Sequence, residues 1–200
     1  MIKNIIHNKK LTVILSAVML AAVIISIICL CKGASSSDVI EGKTNTGLVS
    51  YAKAQLGKPY WFGCFGQESS KKLYDVKKEQ YPKEYKWKCP KKQLGVKVHD
   101  CIGLIKGYLW CDDEKDTTPQ YNSAQDLSAN AMYEKCTKKG DISSLPEVPG
   151  VLVFMPDHVG IYIGHGKVIE ARGHDYGVVK TKLKDRDWKT WGYCPYITYK

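Results

Sequence analysis

Short apolar runs with a period of two fill the last quarter of the chain and constrain its fold more than any other feature. They are VLVFM, HVGIYIG, KVIEA, GVVKTKL and WGYCPYITY, and they lie between residues 151 and 199, separated by glycine, proline or charged residues. A period of two places successive side chains on opposite faces of a sheet, so the runs predict short β-strands. We expect these strands to form an antiparallel sheet.

Segments with helical spacing precede the strands. The apolar positions of residues 46–56 fall on one helical face, which predicts a first helix. Those of residues 101–110 also fall on one face and predict a second helix, which Asp100 or His99 can cap. A third helix is predicted over residues 122–136. Helices first and strands afterwards predict an α+β domain.

An uncharged stretch of 21 residues near the start, residues 11–31, is long enough to cross a bilayer. Lysines precede it, so residues 1–10 are expected in the cytoplasm and everything after the stretch outside. We therefore predict a single-pass cell-membrane protein; a cleaved signal segment, which would leave a secreted protein, is the alternative. Small polar residues make 32–45 a linker, and 46–200 is long enough for one folded domain.

The segment 64–97 is rich in lysine and lacks apolar periodicity, so we expect an inserted loop with short helical turns. Residues 71–97 hold ten lysines against three acids, whereas the whole chain carries a net charge of +10. A basic surface of this kind favours polyanions. Outside the cytoplasm these would be wall polymers or lipid headgroups rather than nucleic acid; a solvated loop without a ligand is the alternative.

Strand parity brings a histidine and a carboxylate together. If residues 164–166 form a three-residue hairpin loop, Gly160 pairs with Glu170, and Glu170 then shares a face with His158, diagonally adjacent to it. A carboxylate in that position can hold an imidazole in one tautomer and orientation. His174 lies four residues beyond Glu170, keeps the same parity, and is the alternative partner.

Cys101 stands at the start of the second predicted helix. The positive end of the helix dipole favours a thiolate there, a nearby imidazolium would lower the thiol pKa further, and the first backbone N–H groups could stabilise an oxyanion. A cysteine at such a place is more often packed or disulfide-bonded. The conjunction of Cys101 with His158 and Glu170 nevertheless indicates a nucleophile, a base and an orienting carboxylate.

Three segments carry a resemblance to a known family. GKPYWFG at 57–63, VHDCIGLIKGYLW at 98–110 and PGVLVFMPDHVGIYIGHGKVIEARG at 149–173 resemble the motif blocks of the NlpC/P60 family of papain-like cell-wall cysteine peptidases. The resemblance covers about residues 46–200. It implies a papain-like α+β fold with the nucleophile at a helix N-terminus, packed on the antiparallel sheet. It also implies hydrolysis of peptidoglycan stem peptides.

The resemblance also implies roles for individual residues. Cys101 would be the nucleophile, His158 the general base and later acid, and Glu170 the polar third member. Tyr60 would line the active-site cleft, and Asp100 would help to receive the amino group of the substrate.

Two departures from the family pattern bear on the substrate. Ile102 stands where the family usually has serine, and the chain runs 38 residues from Gly63 to Cys101, far longer than the common connection. The stem-peptide bond that is cut therefore stays open. The alternatives are an N-acetylmuramoyl-L-alanine amidase of the same chemistry, a non-catalytic cell-wall-binding module, and acyl transfer to lipid or protein.

The cysteines leave their pairing open. Cys64 with Cys89 and Cys111 with Cys136 are possible bridges, while Cys101 must stay a thiol if it is a nucleophile. No cysteine or histidine spacing is typical of a zinc site, so we expect neither a metal nor another cofactor.

Overall fold

The structure is a computed structural model that describes residues 38–111 and 118–200, and it is built around an antiparallel sheet. The strands, in chain order, are β1 (Phe65–Glu68), β2 (Lys97–His99), β3 (Lys139–Asp141), β4 (Leu152–Met155), β5 (His158–Tyr162), β6 (Lys167–Ala171), β7 (Val178–Lys182) and β8 (Thr190–Gly192). Within the described residues, β1 pairs with β2 alone, and the other six strands form one sheet in the order β3, β8, β4, β5, β6, β7. The predicted antiparallel sheet is thus confirmed.

Three of the four helices in the described residues share an apolar core with one face of this sheet, whereas the helix over Lys71–Gln80 packs in a separate cluster. The helices are α1 (Asn45–Ala54), α2 (Lys71–Gln80), α3 (Gly103–Trp110) and α4 (Ala129–Lys135). Every residue of α3 is buried, because this helix is covered on several sides rather than lying at the surface with one wet face. Leu104 and Ile105 of α3 share one apolar core with Ile161 and Ile169 of the sheet. The α+β fold class predicted from the order of helices and strands is therefore correct.

The first helix lies where its spacing predicts it, but it spans Asn45–Ala54 rather than residues 46–56. The Thr44 side chain caps α1 by accepting a hydrogen bond from the backbone N–H of Gly47 at 3.0 Å. Leu48, Val49 and Ala52 form its buried face. Gly57 then turns the chain with a φ of +81°, a conformation that glycine adopts without steric cost.

The hairpin of β5 and β6 has the register that strand parity predicts. Ile161 is paired with Ile169 in the antiparallel ladder. The same register places Gly160 opposite Glu170. Gly164, His165 and Gly166 all have positive φ, as a tight three-residue connection requires.

The lysine-rich insertion is not the loop that was expected. It contains the ten-residue helix α2, and its own apolar cluster is centred on Trp61, Tyr74, Tyr85 and Val98. The indole N–H of Trp61 also donates to the side-chain oxygen of Gln93 at 2.8 Å. The prediction failed because this core is made of aromatic residues far apart in sequence, which leave no periodic signal.

The segment 122–136 is divided, although its spacing predicts one helix. A 3-10 turn covers Ser123–Gln125, and α4 begins only at Ala129. The Ser128 side chain accepts a hydrogen bond from the backbone N–H of Ala131 at 3.1 Å, and this internal cap starts a new helix in place of a continuous one.

The predicted membrane segment, residues 11–31, lies outside the described residues, as do residues 1–10 and the first part of the linker, residues 32–37. Of the helices in the described part of the chain, none has the length and hydropathy needed to span a bilayer.

The aromatic cluster of the insertion makes a stability prediction. Trp61→Ala removes a fully buried ring, so we expect it to lower the free energy of unfolding by about 3–5 kcal/mol in urea titrations followed by circular dichroism. Leu94→Ala removes an exposed side chain of the same insertion and should cost no more than about 0.5 kcal/mol. Equal losses in the two variants would contradict a packed insertion.

Candidate active site

Cys101 lies in a tight turn between β2 and α3, and the neighbouring carboxylate holds that turn in place. Asp100 is buried; its Oδ1 accepts from the backbone N–H of Gly103 at 2.6 Å, and its Oδ2 accepts from that of Gly63 at 2.8 Å. Burial raises the pKa of Asp100, and the two N–H donors oppose this shift. Of the two predicted caps, Asp100 is therefore the one that binds the start of α3.

His99 faces a different part of the core. Its Nε2 lies 3.0 Å from the hydroxyl oxygen of Tyr51, and its side chain is fully buried. The structure thus places this histidine in a contact with α1.

Glu170 and His158 lie together, as strand parity predicts. Glu170 is fully buried, and its Oε2 is 2.7 Å from Nε2 of His158. A carboxylate only accepts hydrogen bonds, so Nε2 carries a proton, and in the neutral form of the imidazole Nδ1 is then the nitrogen with the lone pair. The ring of Trp188 stacks on His158 with centroids 5.6 Å apart, and it fills the space left by the missing side chain of Gly160.

Two further residues complete the surroundings of this carboxylate. The hydroxyl of Thr181 donates to Oε1 of Glu170 at 2.8 Å, and Arg186 donates from Nε to Oε1 at 3.0 Å and from Nη2 to Oε2 at 2.9 Å. Burial acts to raise the pKa of Glu170, but the hydrogen bonds from His158, Arg186 and Thr181 outweigh it and hold the pKa below its usual value. Glu170 is therefore ionised at neutral pH.

Thr181 and Arg186 differ in whether their positions could be predicted from the sequence. Thr181 is paired with Val168 on the neighbouring strand, so parity could have placed it on the face of Glu170. Arg186 follows the 3-10 turn Leu183–Asp185, where no periodicity operates.

His174, the alternative partner, is not next to His158. Its ring stacks on Trp87 of the insertion with centroids 4.1 Å apart. The structure therefore brings Glu170, and not His174, to the imidazole of His158.

The thiol of Cys101 is adjacent to the start of β5. Its Sγ lies 3.9 Å from the carbonyl oxygen of Asp157 and receives a hydrogen bond from the backbone N–H of Val159, the two residues that flank His158. The backbone N–H groups of Ile102 and of Cys101 itself also point at the sulfur. These N–H groups favour the thiolate over the thiol, because they are directed at the sulfur, on which negative charge develops as the proton leaves.

The resting thiol is neutral, which corrects the expectation of a lowered pKa. Burial and then the negative charge of Asp100 raise the pKa of Cys101 to about 12, although the backbone N–H groups of Ile102, Val159 and Cys101 act in the opposite direction. Desolvation wins because the sulfur is enclosed by the turn and by β5. The proton must therefore leave as the sulfur attacks, and a neighbouring base is needed to take it.

Tyr60 is half-buried near the same turn. Burial raises its pKa above the usual value, and the charge of Asp100 adds to this effect, which places the phenol close to that carboxylate. Its backbone forms a bridge with His99. Its predicted contact with the substrate stays a prediction.

A cleft of about 810 Å³ opens above Cys101. One wall is formed by the insertion, and the opposite wall by residues 126–130 together with Tyr121. Asp100 and Asp157 also line the cleft. A second cavity of about 610 Å³ lies beside Arg186 and Trp188 and has no cysteine in its lining, so the cleft is the candidate active site.

Within the described residues, the structure shows neither the considered disulfides nor a metal-binding cluster. Neither of the considered bridges, Cys64 to Cys89 or Cys111 to Cys136, is present there, and Cys101 forms no disulfide. Across residues 38–111 and 118–200, no group of three or more histidine, cysteine, aspartate or glutamate side chains is arranged to hold a metal ion.

Comparison with known proteins decides the family. The sequence profile of the NlpC/P60 family matches residues 82–195, more than half of the chain. This chain belongs to the NlpC/P60 family. No curated protein matches it.

Two solved structures are similar to this chain at low sequence identity. The peptidoglycan hydrolase RipB from Mycobacterium tuberculosis is 17% identical, with a TM-score of 0.46, over 81% of this chain and 73% of that one. NlpC2 from Trichomonas vaginalis is 16% identical, with a TM-score of 0.45, over 81% of this chain and 51% of that one. The chain thus spans about half the length of the Trichomonas NlpC/P60 protein.

The raised pKa of Cys101 predicts how fast this thiol is alkylated. Iodoacetamide reacts with the thiolate, so the labelling rate at Cys101, measured by peptide mass spectrometry, should rise about tenfold per pH unit from about pH 7 to 9. A rate that is already constant over this range would mean that the thiolate forms below pH 7, and it would contradict a neutral resting thiol.

The lowered pKa of Glu170 predicts a stability change in acid. Its stabilising contribution is fully present above its unfolded-state pKa of about 4.5 and is lost as the pH falls through the lower folded-state value. The difference in unfolding free energy between the parent chain and Glu170→Gln should therefore shrink from about pH 5 to about pH 3.

Glu134→Gln is the matched control, because Glu134 is exposed and pairs with Lys139 only at the surface. Its difference from the parent chain should change little over the same range. A pH dependence as large as that of Glu170→Gln would contradict a special role for the buried carboxylate.

Proposed function

We propose that this protein is a peptidoglycan hydrolase that cleaves stem peptides of the bacterial cell wall with Cys101, His158 and Glu170. Membership of the NlpC/P60 family supports the hydrolase class. The observation that carries the proposal is the hydrogen bond between the buried Glu170 and Nε2 of His158, together with the contact of Cys101 Sγ with Asp157, the residue before that histidine.

The first half-reaction would form a thioester. As Sγ of Cys101 attacks the carbonyl carbon of the scissile amide, Nδ1 of His158 takes the thiol proton, and the carbonyl oxygen becomes an oxyanion. Backbone N–H groups of the Cys101 turn would stabilise that oxygen. When the tetrahedral species collapses, the C–N bond breaks and the imidazolium returns its proton to the leaving amine.

The second half-reaction would release the acid. His158 takes a proton from water as the water oxygen attacks the thioester carbon; the carbon–sulfur bond then breaks to release the carboxylic acid, and the imidazolium returns its proton to the sulfur of Cys101. Glu170 stays ionised throughout and stabilises the imidazolium that forms in each half. Arg186 and Thr181 are positioning residues, since they contact only the carboxylate in this set.

Asp100 and Tyr60 are proposed to contact the substrate beside the scissile bond. Asp100 lines the cleft and would attract an amino group of the peptide, while Tyr60 lies near the same carboxylate. Each oxygen of Asp100 already accepts one hydrogen bond from a backbone N–H. The remaining lone pair on each oxygen can accept a hydrogen bond from the ligand.

Two segments other than those of the catalytic residues suggest where the protein is located and what else it binds. Residues 11–31 are proposed to anchor the protein in the cell membrane, with the catalytic domain outside the cytoplasm. The insertion, with ten lysines in 71–97, is proposed to contact anionic wall polymers.

Cell-wall digestion tests the hydrolase proposal. The full chain, in a non-ionic detergent, should release new amino groups from purified peptidoglycan, and Cys101→Ala should reduce the release by at least about 10³-fold, since the nucleophile is lost. Cys89→Ala changes a half-buried thiol of the insertion and should keep the activity.

Equal activity of the parent chain and of Cys101→Ala would contradict the proposal that the protein is a cysteine hydrolase. If neither acts but both sediment with walls, a non-catalytic binding module is the correct function. Mass spectrometry of the soluble fragments separates the endopeptidase from the amidase, because only the amidase leaves the whole peptide with a free N-terminal alanine.

A further inference from the structure

One wall of the cleft beside Cys101 is a face of α2, the helix of the insertion. Leu73, Val76, Lys77 and Gln80 lie on this face at helical spacing, and Tyr81 follows directly after the helix. The wall therefore belongs to the segment that lengthens the chain between Gly63 and the nucleophile.

The opposite side of α2 fixes this wall in place. Tyr74 is buried and packs edge-on against Trp61, with ring centroids 5.8 Å apart. The hydroxyl of Tyr85 donates to the carbonyl oxygen of Phe62 at 2.8 Å, and Phe62 precedes the glycine that is bound by Asp100. The helix is thus anchored to the same loop that supports the nucleophile, so its side chains have a defined position over the cleft.

Lys77 is the cation of this wall. Its Nζ donates to the side-chain oxygen of Gln80 at 3.2 Å and lies 5.6 Å from the ring centroid of Tyr81. Its charge acts to lower the pKa of Asp100, against the larger effect of burial, so the ammonium lies within electrostatic range of that carboxylate.

No carboxylate pairs with Lys77 in the part of the chain that the structure describes. Asp75, an acid of the same helix, is paired with Lys71 on the solvent side. Asp126, on the opposite wall, accepts from Lys106 and from the hydroxyl of Tyr121. An ammonium at the edge of a cleft that is not paired with a carboxylate can bind an anionic group of a ligand.

The cleft also exposes apolar surface beside this charge. Eight large hydrophobic residues are exposed in the described chain, and half of them line the cleft: Phe62, Val76, Tyr81 and Tyr121. Phe62 and Tyr81 touch edge-to-face at 5.0 Å. Exposed hydrophobic side chains in a cleft that also contains a cation are typical of a binding surface rather than of a solvated loop.

We propose that Lys77 binds a free carboxylate of the peptide substrate, so that the insertion selects stem peptides with that carboxylate over peptides in which it is amidated. The inference rests on the proposed function, because it assigns the chemistry of the ligand in the same cleft. A carboxylate gains a charge-assisted hydrogen bond from the ammonium, whereas a carboxamide offers it only a neutral acceptor.

Binding to an inactive variant tests this selectivity without turnover. The full chain carrying Cys101→Ala, in a non-ionic detergent, is titrated by calorimetry with alanyl-γ-D-glutamyl-lysine and with the same peptide amidated at the glutamyl α-carboxylate. We expect the carboxylate peptide to bind about tenfold more tightly, which corresponds to about 1.4 kcal/mol. Adding Lys77→Gln should abolish the preference.

Lys78→Gln is the matched control. Lys78 is the next residue of α2, is exposed, and lies 5.8 Å from the ring of Tyr74 on the side away from the cleft, so its loss should leave the preference unchanged. A preference that survives Lys77→Gln, an equal loss in both variants, or equal binding of the two peptides to the parent would overturn the proposal. If the preference is found but wild-type protein cleaves no wall, the Lys77 site stands and the hydrolase proposal fails.

Discussion

The buried carboxylate of Glu170 is the constraint on which the candidate active site depends. An acid without solvent exposure would ordinarily take up a proton, but four hydrogen bonds from His158, Thr181 and Arg186 keep it ionised. These donors come from β5, from β7 and from the turn after β7. The pairing of β6 with its two neighbours therefore also fixes the orientation of the imidazole.

A second buried carboxylate performs the corresponding task for the nucleophile. Asp100 binds the backbone of Gly63 and Gly103, and so it joins the root of the insertion to the first turn of α3. The long insertion does not loosen this junction, because its own aromatic cluster holds both of its ends near β1 and β2. The nucleophile turn thus keeps a fixed place while the insertion supplies a new wall to the cleft.

The sequence predicted what local periodicity and parity control. The spacing of apolar residues located α1 and the strands, and the hairpin register brought Glu170 to His158. Three-dimensional packing decided the rest. Arg186 follows an irregular turn, the insertion folds around rings that are distant in sequence, and the pKa of Cys101 is set by an enclosure that no motif reveals.

The central claim is that Cys101 and His158 act on one substrate atom, and a crystal structure of the full chain with a peptide aldehyde tests it most directly. The account predicts a covalent bond from Sγ of Cys101 to the aldehyde carbon, and Nδ1 of His158 within about 3.5 Å of the sulfur or of the new hydroxyl. An aldehyde bound to another cysteine, or an imidazole turned away from Sγ while still bonded to Glu170, would contradict it.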